Sequence, residues 1–515
     1  MKRPFPLYPV FLAAYPILFL YARNKQIVDF RDVVIPEALA LALLAVTWGL
    51  TWMVLRDVGR SALISSFCVF FLQSFEPFQS LTLKALFLYL PAFALGVFLA
   101  VKSPPPSMSA TRSLNLAALV LLAFPLATIL WSEAAHTLSS QASLDRHPVT
   151  PSSPAHASEL RGTDPNIYDF LLDGYAREDV LRTLYGYDNS PFLSALRKQG
   201  FTVAKAARTN YWQTTLSLAS MLNASYVSYV NGMPGYLECG WGDRRSLSQL
   251  VQKNFVMDYL KRRGYHTMAF ATGYGFNELV TADVFKSVQV SGLDGLSSFH
   301  YEALCMTPIP EIVHLVNPVA PHTSQVRRDR ILNALDHSTD LSDRAAPLFV
   351  LAHVMAPHPP FVFHADGSPA SPAKPFSGAD GSAYIKLGGN VEAYRRGYAE
   401  QVQFVNRKML DAIGRVLKRS TRPSVIILHG DHGPGSGLDW DVPERSDFYE
   451  RMSILVAVRM PDGEDPGLPE DLTLVNLYRV LFSRLFGEDL PLLPNASYYH
   501  QGERTIEISP SALQR

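Results

Sequence analysis

The chain has 515 residues, 46 basic against 46 acidic side chains, and is 48% hydrophobic but only 18% charged. That length allows two to four domains, and so little charge with so many apolar residues argues against disorder and points to membrane content. Balanced charge argues against a nucleic-acid partner, which calls for a basic face, and three cysteines are too few for a disulfide scaffold or a cysteine-rich zinc module.

The long apolar runs gather before residue 133. A membrane span needs about 20 mostly apolar residues. Five segments meet or approach that length: Phe5–Ala22, Ala38–Leu55, Ser61–Phe75, Ala85–Val101 and Leu114–Ser132. The third is short and carries Ser65, Ser66 and Gln73, so a re-entrant segment is its alternative. Four further apolar segments after the first do not fit a cleaved signal peptide. Lys2, Arg3, Arg56, Arg60, Lys102 and Arg112 fall on one side, against Arg23, Lys25, Arg31 and Lys84 on the other. The bias places the N-terminus inside, and an odd number of spans then places everything after Ser132 outside. In a bacterium this is a multi-pass inner-membrane protein with a periplasmic or extracellular domain. Tyr21 and Trp131 stand at span ends, where aromatic side chains favour the headgroup zone.

Residues 133–163 are rich in Ser, Ala and Pro and read as a linker. A globular domain is expected over 164–500, followed by a tail at 501–515. Its predicted elements in chain order are a strand Asn166–Leu172, a helix Pro191–Gln199, a strand Phe201–Ala204 and a helix Leu247–Arg263. A strand His266–Ala271, a strand Leu348–His353, a long helix Val391–Leu417 and strands Ser424–Leu428 and Met452–Val458 follow. Strands alternating with helices predict an α/β domain, its mostly parallel sheet covered by helices on both faces, behind an α-helical transmembrane bundle. Cys239 and Cys305 would share an oxidising space, either paired or as two buried thiols.

In open α/β sheets ligands bind beyond the carboxyl ends of the strands. Three predicted strands end in candidate ligands: Asp173, then His353 and His358 in HVMAPHPPF, then Asp431 and His432 in HGDHGPGSG. Asp-Gly and Asp-His-Gly also make plain turns. All three strand ends together favour a shared site. Two carboxylates and an imidazole suit one divalent cation, Zn²⁺ or Mn²⁺ rather than Ca²⁺. A cation there polarises a phosphoryl or sulfuryl oxygen and acidifies a bound hydroxyl. Thr214 and Thr215, ahead of the helical pattern SLASML, supply such a hydroxyl; taken alone, a threonine pair there simply caps the helix. His429 reads equally as a substrate ligand or as packing at a strand end, and Trp212 and Tyr211 as a pocket wall or as core. His500 is expected at the surface, and Arg395 and Arg396 on a solvated helix face.

The order NIYDFLLDGY, TNYWQTTLSLASMLN, HVMAPHPPF and ILHGDHGPGSG resembles the alkaline phosphatase/sulfatase superfamily over roughly residues 164–490. With the five-segment anchor, the chain is similar to lipoteichoic acid synthases and lipid A phosphoethanolamine transferases. The resemblance implies an alkaline phosphatase-like fold, a metal-bound threonine nucleophile and a covalent phospho-enzyme. It implies metal ligands at Asp173, Thr214, Asp431 and His432, with Thr214 as nucleophile and Thr215 as second choice. It implies that His358, or else His353, contacts the transferred group. Asp173 stands where those two families usually carry glutamate. The chain has no Cys-x-Pro-Ser-Arg or Ser-x-Pro-Ser-Arg motif, so a formylglycine sulfatase is not expected. The implied substrate is a membrane lipid or an envelope glycan. A transferase, a hydrolase on the same site and a non-catalytic binding module stay open.

Overall fold

A computed structural model of the protein describes residues 4–25, 28, 30–75, 83–144, 164–227, 244–289, 298–310, 312, 323–370, 379–501 and 504–514. The chain divides into two compact units, one of Met1–Leu144 with Ser291–Pro321, the other of Asp145–Val290 with His322–Arg515.

Five helices of the first unit occupy the five apolar segments: α1 (Tyr8–Asn24), α2 (Arg31–Leu55), α3 (Val58–Leu72), α4 (Leu83–Lys102) and α5 (Met108–Leu144). Arg31–Leu55 and Met108–Trp131 are long and apolar enough to cross a membrane, while Val58–Leu72 and Leu88–Lys102 are apolar but shorter. The polar residues that weaken the third segment face inward. Ser65 and Ser66 are buried and donate to the carbonyls of Ser61 and Ala62 at 2.7 Å, so α3 runs as an unbroken helix rather than a re-entrant loop.

Two expectations fail here. The helix α5 continues to Leu144, into the stretch expected as linker, because residues 133–144 contain no Pro or Gly to stop it. Residues Ser291–Pro321, expected inside the globular domain, group with the apolar helices instead. Phe299 and Ala303, one turn apart on the helix Ser298–Cys305, bury against Ile17, Tyr21, Val33 and Ile129. Tyr21 is therefore packed edge-on against Phe299, with centroids 6.3 Å apart, rather than facing headgroups. Trp131 is exposed. Cys305 ends this helix, and Cys239 lies outside the described residues.

The described residues of the second unit carry nine strands: β1 (Asn166–Leu172), β2 (Phe201–Val203), β3 (His266–Phe270), β4 (Val284–Lys286), β5 (Leu348–Val354), β6 (Ser424–His429), β7 (Val456–Arg459), β8 (Tyr498–Gln501) and β9 (Arg504–Glu507). The first seven form one sheet in the order β2-β7-β6-β1-β5-β3-β4. The pairs of β1 with β5 and β6 are parallel, as are those of β3 with β5 and β4, and β7 alone runs against the rest. Alternation along β1 divides the core. Ile167 and Leu171 enter one apolar cluster with the helices α8 (Thr214–Leu222) and Leu477–Phe486. Tyr168, Phe170 and Leu172 enter the other, with the helix Val391–Arg419 and with α6 (Glu178–Tyr185) and α7 (Ser190–Lys198). β1, β5 and β6 are buried along their whole length, as parallel strands covered on both faces must be.

The predicted helix Leu247–Arg263 is two helices, Arg244–Gln252 and Phe255–Arg262. Asn254 breaks it. Its side chain accepts from Met257 N at 2.8 Å, capping the second helix where a continuous one would need a backbone bond. Met452 ends a short helix, Phe448–Met452, so the last predicted strand begins only at Val456. The expected tail is folded. β8 and β9 pair antiparallel, and Ile508 and Leu513 bury beside Trp212 and Phe448. His500 lies in β8 and is buried, against expectation.

Two stability outcomes follow. Asn254→Ala should lower the unfolding free energy by about 1 kcal/mol, read from chemical denaturation. Burial pushes His500 from 6.5 down to about 4, so it is neutral when folded. A folded value below the unfolded one gives stability that is complete above the unfolded value and is lost as pH falls toward 4. Wild type should therefore lose up to about 3 kcal/mol more than His500→Asn between pH 7 and pH 4, and equal losses in paired thermal melts would contradict this.

Candidate active site

The strand order β6-β1-β5 puts the three expected ligand-bearing ends side by side. Asp173 follows β1, His353 lies in β5 with His358 beyond it, and Asp431 and His432 follow β6. Backbone bonds tie the ends together. Asp173 N donates to Val354 O and His358 N to Asp173 O, both at 2.9 Å.

Each carboxylate gives one oxygen to the protein and keeps the other bare. His353 Nε2 lies 3.1 Å from Asp173 Oδ2, and Gly174 N donates to Asp431 Oδ1 at 3.0 Å. Asp173 Oδ1 and Asp431 Oδ2 are buried without a hydrogen-bond donor. His432 Nδ1 lies 2.8 Å from Gly433 O; a carbonyl only accepts, so Nδ1 carries the proton and Nε2 is a lone pair. That lone pair sits 3.6 Å from Asp173 Oδ1, 3.4 Å from Asp431 Oδ2 and 3.1 Å from Thr214 Oγ1. Burial and the nearby Arg451 lower the His432 pKa and favour the neutral ring. Burial raises Asp173, but His358, His353 and His432 outweigh it and hold the carboxyl well below its ordinary range. Two bare carboxylate oxygens facing an imidazole lone pair repel one another unless a cation lies among them, so the residues present fit one divalent ion.

The threonines separate. Gln213 is the N-cap residue of α8, and Thr214 and Thr215 are its first two helical residues; neither caps the helix. Thr214 Oγ1 faces His432, whereas Thr215 Oγ1 donates to Asn277 Oδ1 at 2.8 Å. His358 sits at the same centre, since Asp173, His358 and His432 each bring a ligand atom within 4.8 Å of the other two. Its Nδ1 lies 2.6 Å from Pro359 O, and its Nε2 lies 3.8 Å from Asp380 Oδ2.

Three other expected residues stand outside this centre. His353 buttresses Asp173. His429 is fully buried with Nε2 3.0 Å from Asp169 Oδ1, and Tyr478 OH donates to the second oxygen of Asp169 at 2.5 Å. This pairing explains an aspartate inside the apolar strand NIYDFLL, and it turns His429 into the sheet core. Trp212 is buried against Trp440 and Tyr499, so Trp440 and not Trp212 lines the pocket. Arg396 borders a second cavity of about 640 Å³, which shows no converging ligand atoms among the described residues.

The pocket over the site encloses about 350 Å³, with Asp173, Thr214, His358 and His432 on its floor and Tyr274, Phe276 and Trp440 among its walls. Two acids and an arginine in and around it had no signal in the sequence. Asp380 accepts from Tyr394 OH and Arg451 Nη1, both at 2.6 Å. Burial raises the Asp380 pKa, but Arg451, His358, the Tyr394 hydrogen bond and His432 together outweigh it and lower it. Glu450 accepts from Ser436 N, Ser436 Oγ and Gly437 N, at 3.1, 2.6 and 2.7 Å, and so clamps the loop that carries Asp431 and His432. A Cβ on Gly433 would stand 2.0 Å from Glu450 O, which is why glycine follows the Asp-His pair. Neither FYERM nor GADG has a spacing that marks it as part of a site.

The family model described as Sulfatase matches residues 171–465. No curated protein matches the chain. Among solved structures, the soluble domain of lipooligosaccharide phosphoethanolamine transferase A from Neisseria meningitidis is 12% identical, covering 65% of this chain and 91% of that one at a TM-score of 0.42. The integral membrane form of that transferase is 13% identical, covering 91% and 85% at a TM-score of 0.40. A protein of the alkaline phosphatase superfamily from Vibrio parahaemolyticus is 13% identical, covering 68% and 76% at a TM-score of 0.40. With the family model matched over more than half of its 515 residues, the chain belongs to the sulfatase family and is an enzyme of phosphoric or sulfuric ester chemistry.

Proposed function

We propose that the protein is a membrane-anchored, metal-dependent phosphotransferase that uses Thr214 as its nucleophile and a lipid or envelope glycan as its substrate. The observation that carries this reading is the Thr214 hydroxyl 3.1 Å from the bare His432 nitrogen, beside two buried carboxylate oxygens that lack donors. Asp173, Asp431 and His432 would hold one Zn²⁺ or Mn²⁺, with Thr214 and His358 in reach. When bound, that ion supplies charge that acidifies a hydroxyl and neutralises phosphoryl oxygens.

The chain's own residues do the rest. As the first helical residue of α8, Thr214 is held by the helix backbone. The Thr214 hydroxyl releases its proton to water in the pocket as its oxygen attacks phosphorus in line; the Thr214 O–P bond forms, and the bond from phosphorus to the leaving oxygen breaks. The leaving oxygen departs on the pocket side, where His358 Nε2 stands near Asp380 and is placed to give it a proton. An acceptor hydroxyl then attacks the phosphothreonine and gives its proton to the same histidine; the acceptor O–P bond forms, the Thr214 O–P bond breaks, and the freed Thr214 oxygen regains a proton from water. A water molecule in that second step gives hydrolysis, so transfer and hydrolysis share the first half-reaction.

Anchoring is supported by the outward faces of the first unit. Leu39, Val46, Leu50 and Val54 on α2 and Leu116, Val120, Phe124 and Leu130 on α5 are exposed and apolar, a surface that belongs in lipid. We read all five helices as the anchor, with the N-terminus inside and the catalytic unit in the periplasm or outside the cell.

Thr214→Ala should reduce turnover roughly a thousandfold or more, whereas Thr215→Ala should stay within about tenfold of wild type. Mass spectrometry of protein quenched during turnover should find phosphate on Thr214, and full activity in Thr214→Ala would contradict the mechanism. Chelation should remove one divalent ion per chain together with the activity, and Zn²⁺ or Mn²⁺ should restore it. Asp173→Asn should bind the ion at least about tenfold more weakly, and metal analysis showing an unchanged content would count against this ligand set. Product partition between water and added hydroxyl acceptors separates transferase from hydrolase.

A further inference from the structure

Arg451 lines the candidate active-site pocket yet is almost wholly buried, and it belongs to none of the motifs that mark the site. Its guanidinium ties three separate pieces of the centre. Nε donates to Trp212 O at 2.8 Å, two residues before Thr214. Nη1 donates to Gly433 O at 2.9 Å, the same carbonyl that receives the proton of His432 Nδ1. Nη1 also donates to Asp380 Oδ2 at 2.6 Å, and that oxygen is the one nearest His358 Nε2. One face of the planar fork is thus fully engaged. The remaining nitrogen, Nη2, makes no hydrogen bond among the described residues, and its N–H groups are not among the buried polar atoms without a partner. A buried arginine normally spends all its donors. One that keeps a nitrogen free at a pocket wall has a donor in reserve for whatever enters.

We propose that Arg451 Nη2 is the oxyanion-binding donor of this site and grips a non-bridging oxygen of the tetrahedral ester group, phosphoryl or sulfuryl, that Thr214 attacks. This deepens the proposed function and rests on its placing of the ester group beside Thr214. The chemistry suits the residue. Guanidinium N–H groups match the oxygens of a tetrahedral anion, and a fork fixed by three acceptors needs no reorganisation when charge builds on those oxygens. Lysine cannot reproduce it, because one ammonium cannot reach Trp212 O, Gly433 O and Asp380 while also facing the pocket. Asp380 is then a positioning residue, which orients Arg451 through Oδ2 and is itself fixed by Tyr394.

The test is calorimetric binding of inorganic phosphate, and in a second arm inorganic sulfate, to the metal-loaded full-length protein. Wild type, Arg451→Lys and Arg451→Ala are compared, with melting temperature and metal content measured on each. Expected is binding of at least one of the two anions to wild type, weakened about tenfold or more in both variants at unchanged metal content. Added guanidinium should restore it in Arg451→Ala. If Arg451→Ala fails to fold, Arg451→Lys carries the test alone. The proposal is overturned if wild type binds neither anion, if a folded variant binds within twofold of wild type, or if the lost affinity tracks lost metal. Thr214→Ala separates the two readings. A fully active Thr214→Ala protein that still binds the anion through Arg451 removes the nucleophile and leaves the oxyanion donor standing.

Discussion

The second unit is organised around an electrostatic conflict. Asp173 and Asp431 each spend one oxygen on the protein and present the other, without a donor, to the lone pair of His432. Groups of like polarity do not collect in a dry interior unless something of opposite charge is meant to join them. The surroundings hold the arrangement in place. His353 braces Asp173 from behind, Gly174 N pins Asp431, and the Gly433 carbonyl sets the His432 tautomer. In such a frame the hydroxyl of Thr214 stands 3.1 Å from the His432 nitrogen.

The acidic and basic residues away from the motifs serve this frame. Glu450 and Arg451 are neighbours on one short helix and act on opposite sides of the same loop. Glu450 accepts from the amides of Ser436 and Gly437, and Arg451 donates to the carbonyls of Gly433 and Trp212. A loop whose donors and acceptors are both satisfied by fixed side chains has little freedom left, which suits a catalytic segment that has to be preorganised. Burial raises the Glu450 pKa despite these bonds, so the clamp carries a cost that the loop's rigidity offsets.

The first unit solves a different problem. Its outward faces are apolar, and Ser61, Ser65 and Ser66 of α3 are buried. Thr51 and Ser65 meet across α2 and α3 at 3.1 Å, as polar groups in helices surrounded by lipid are expected to do. The helix Ser298–Cys305, encoded far from the N-terminal helices, joins them through Phe299 and Ala303.

Much was legible without the fold. The five apolar runs, the buried strands NIYDFLL, LFVLAH and SVIIL, and the polar residues at their carboxyl ends follow from periodicity and composition, which act over a few neighbouring residues. Those signals led to Asp173, His358, Asp431 and His432 as one group. They ranked Thr214 ahead of Thr215 only through the family resemblance, because adjacent helical residues differ by about 100° in direction and periodicity does not say which one points at the site. They gave His429 no clear place, because its partner Asp169 lies on another strand. They missed Asp380 and Arg451, and they put Ser291–Pro321 in the wrong unit. Each miss depends on contacts between residues far apart in the chain; Thr214 and His432 are themselves separated by 218 positions. Strand order and helix docking create such contacts, so side-chain direction and pairing were settled by tertiary structure alone.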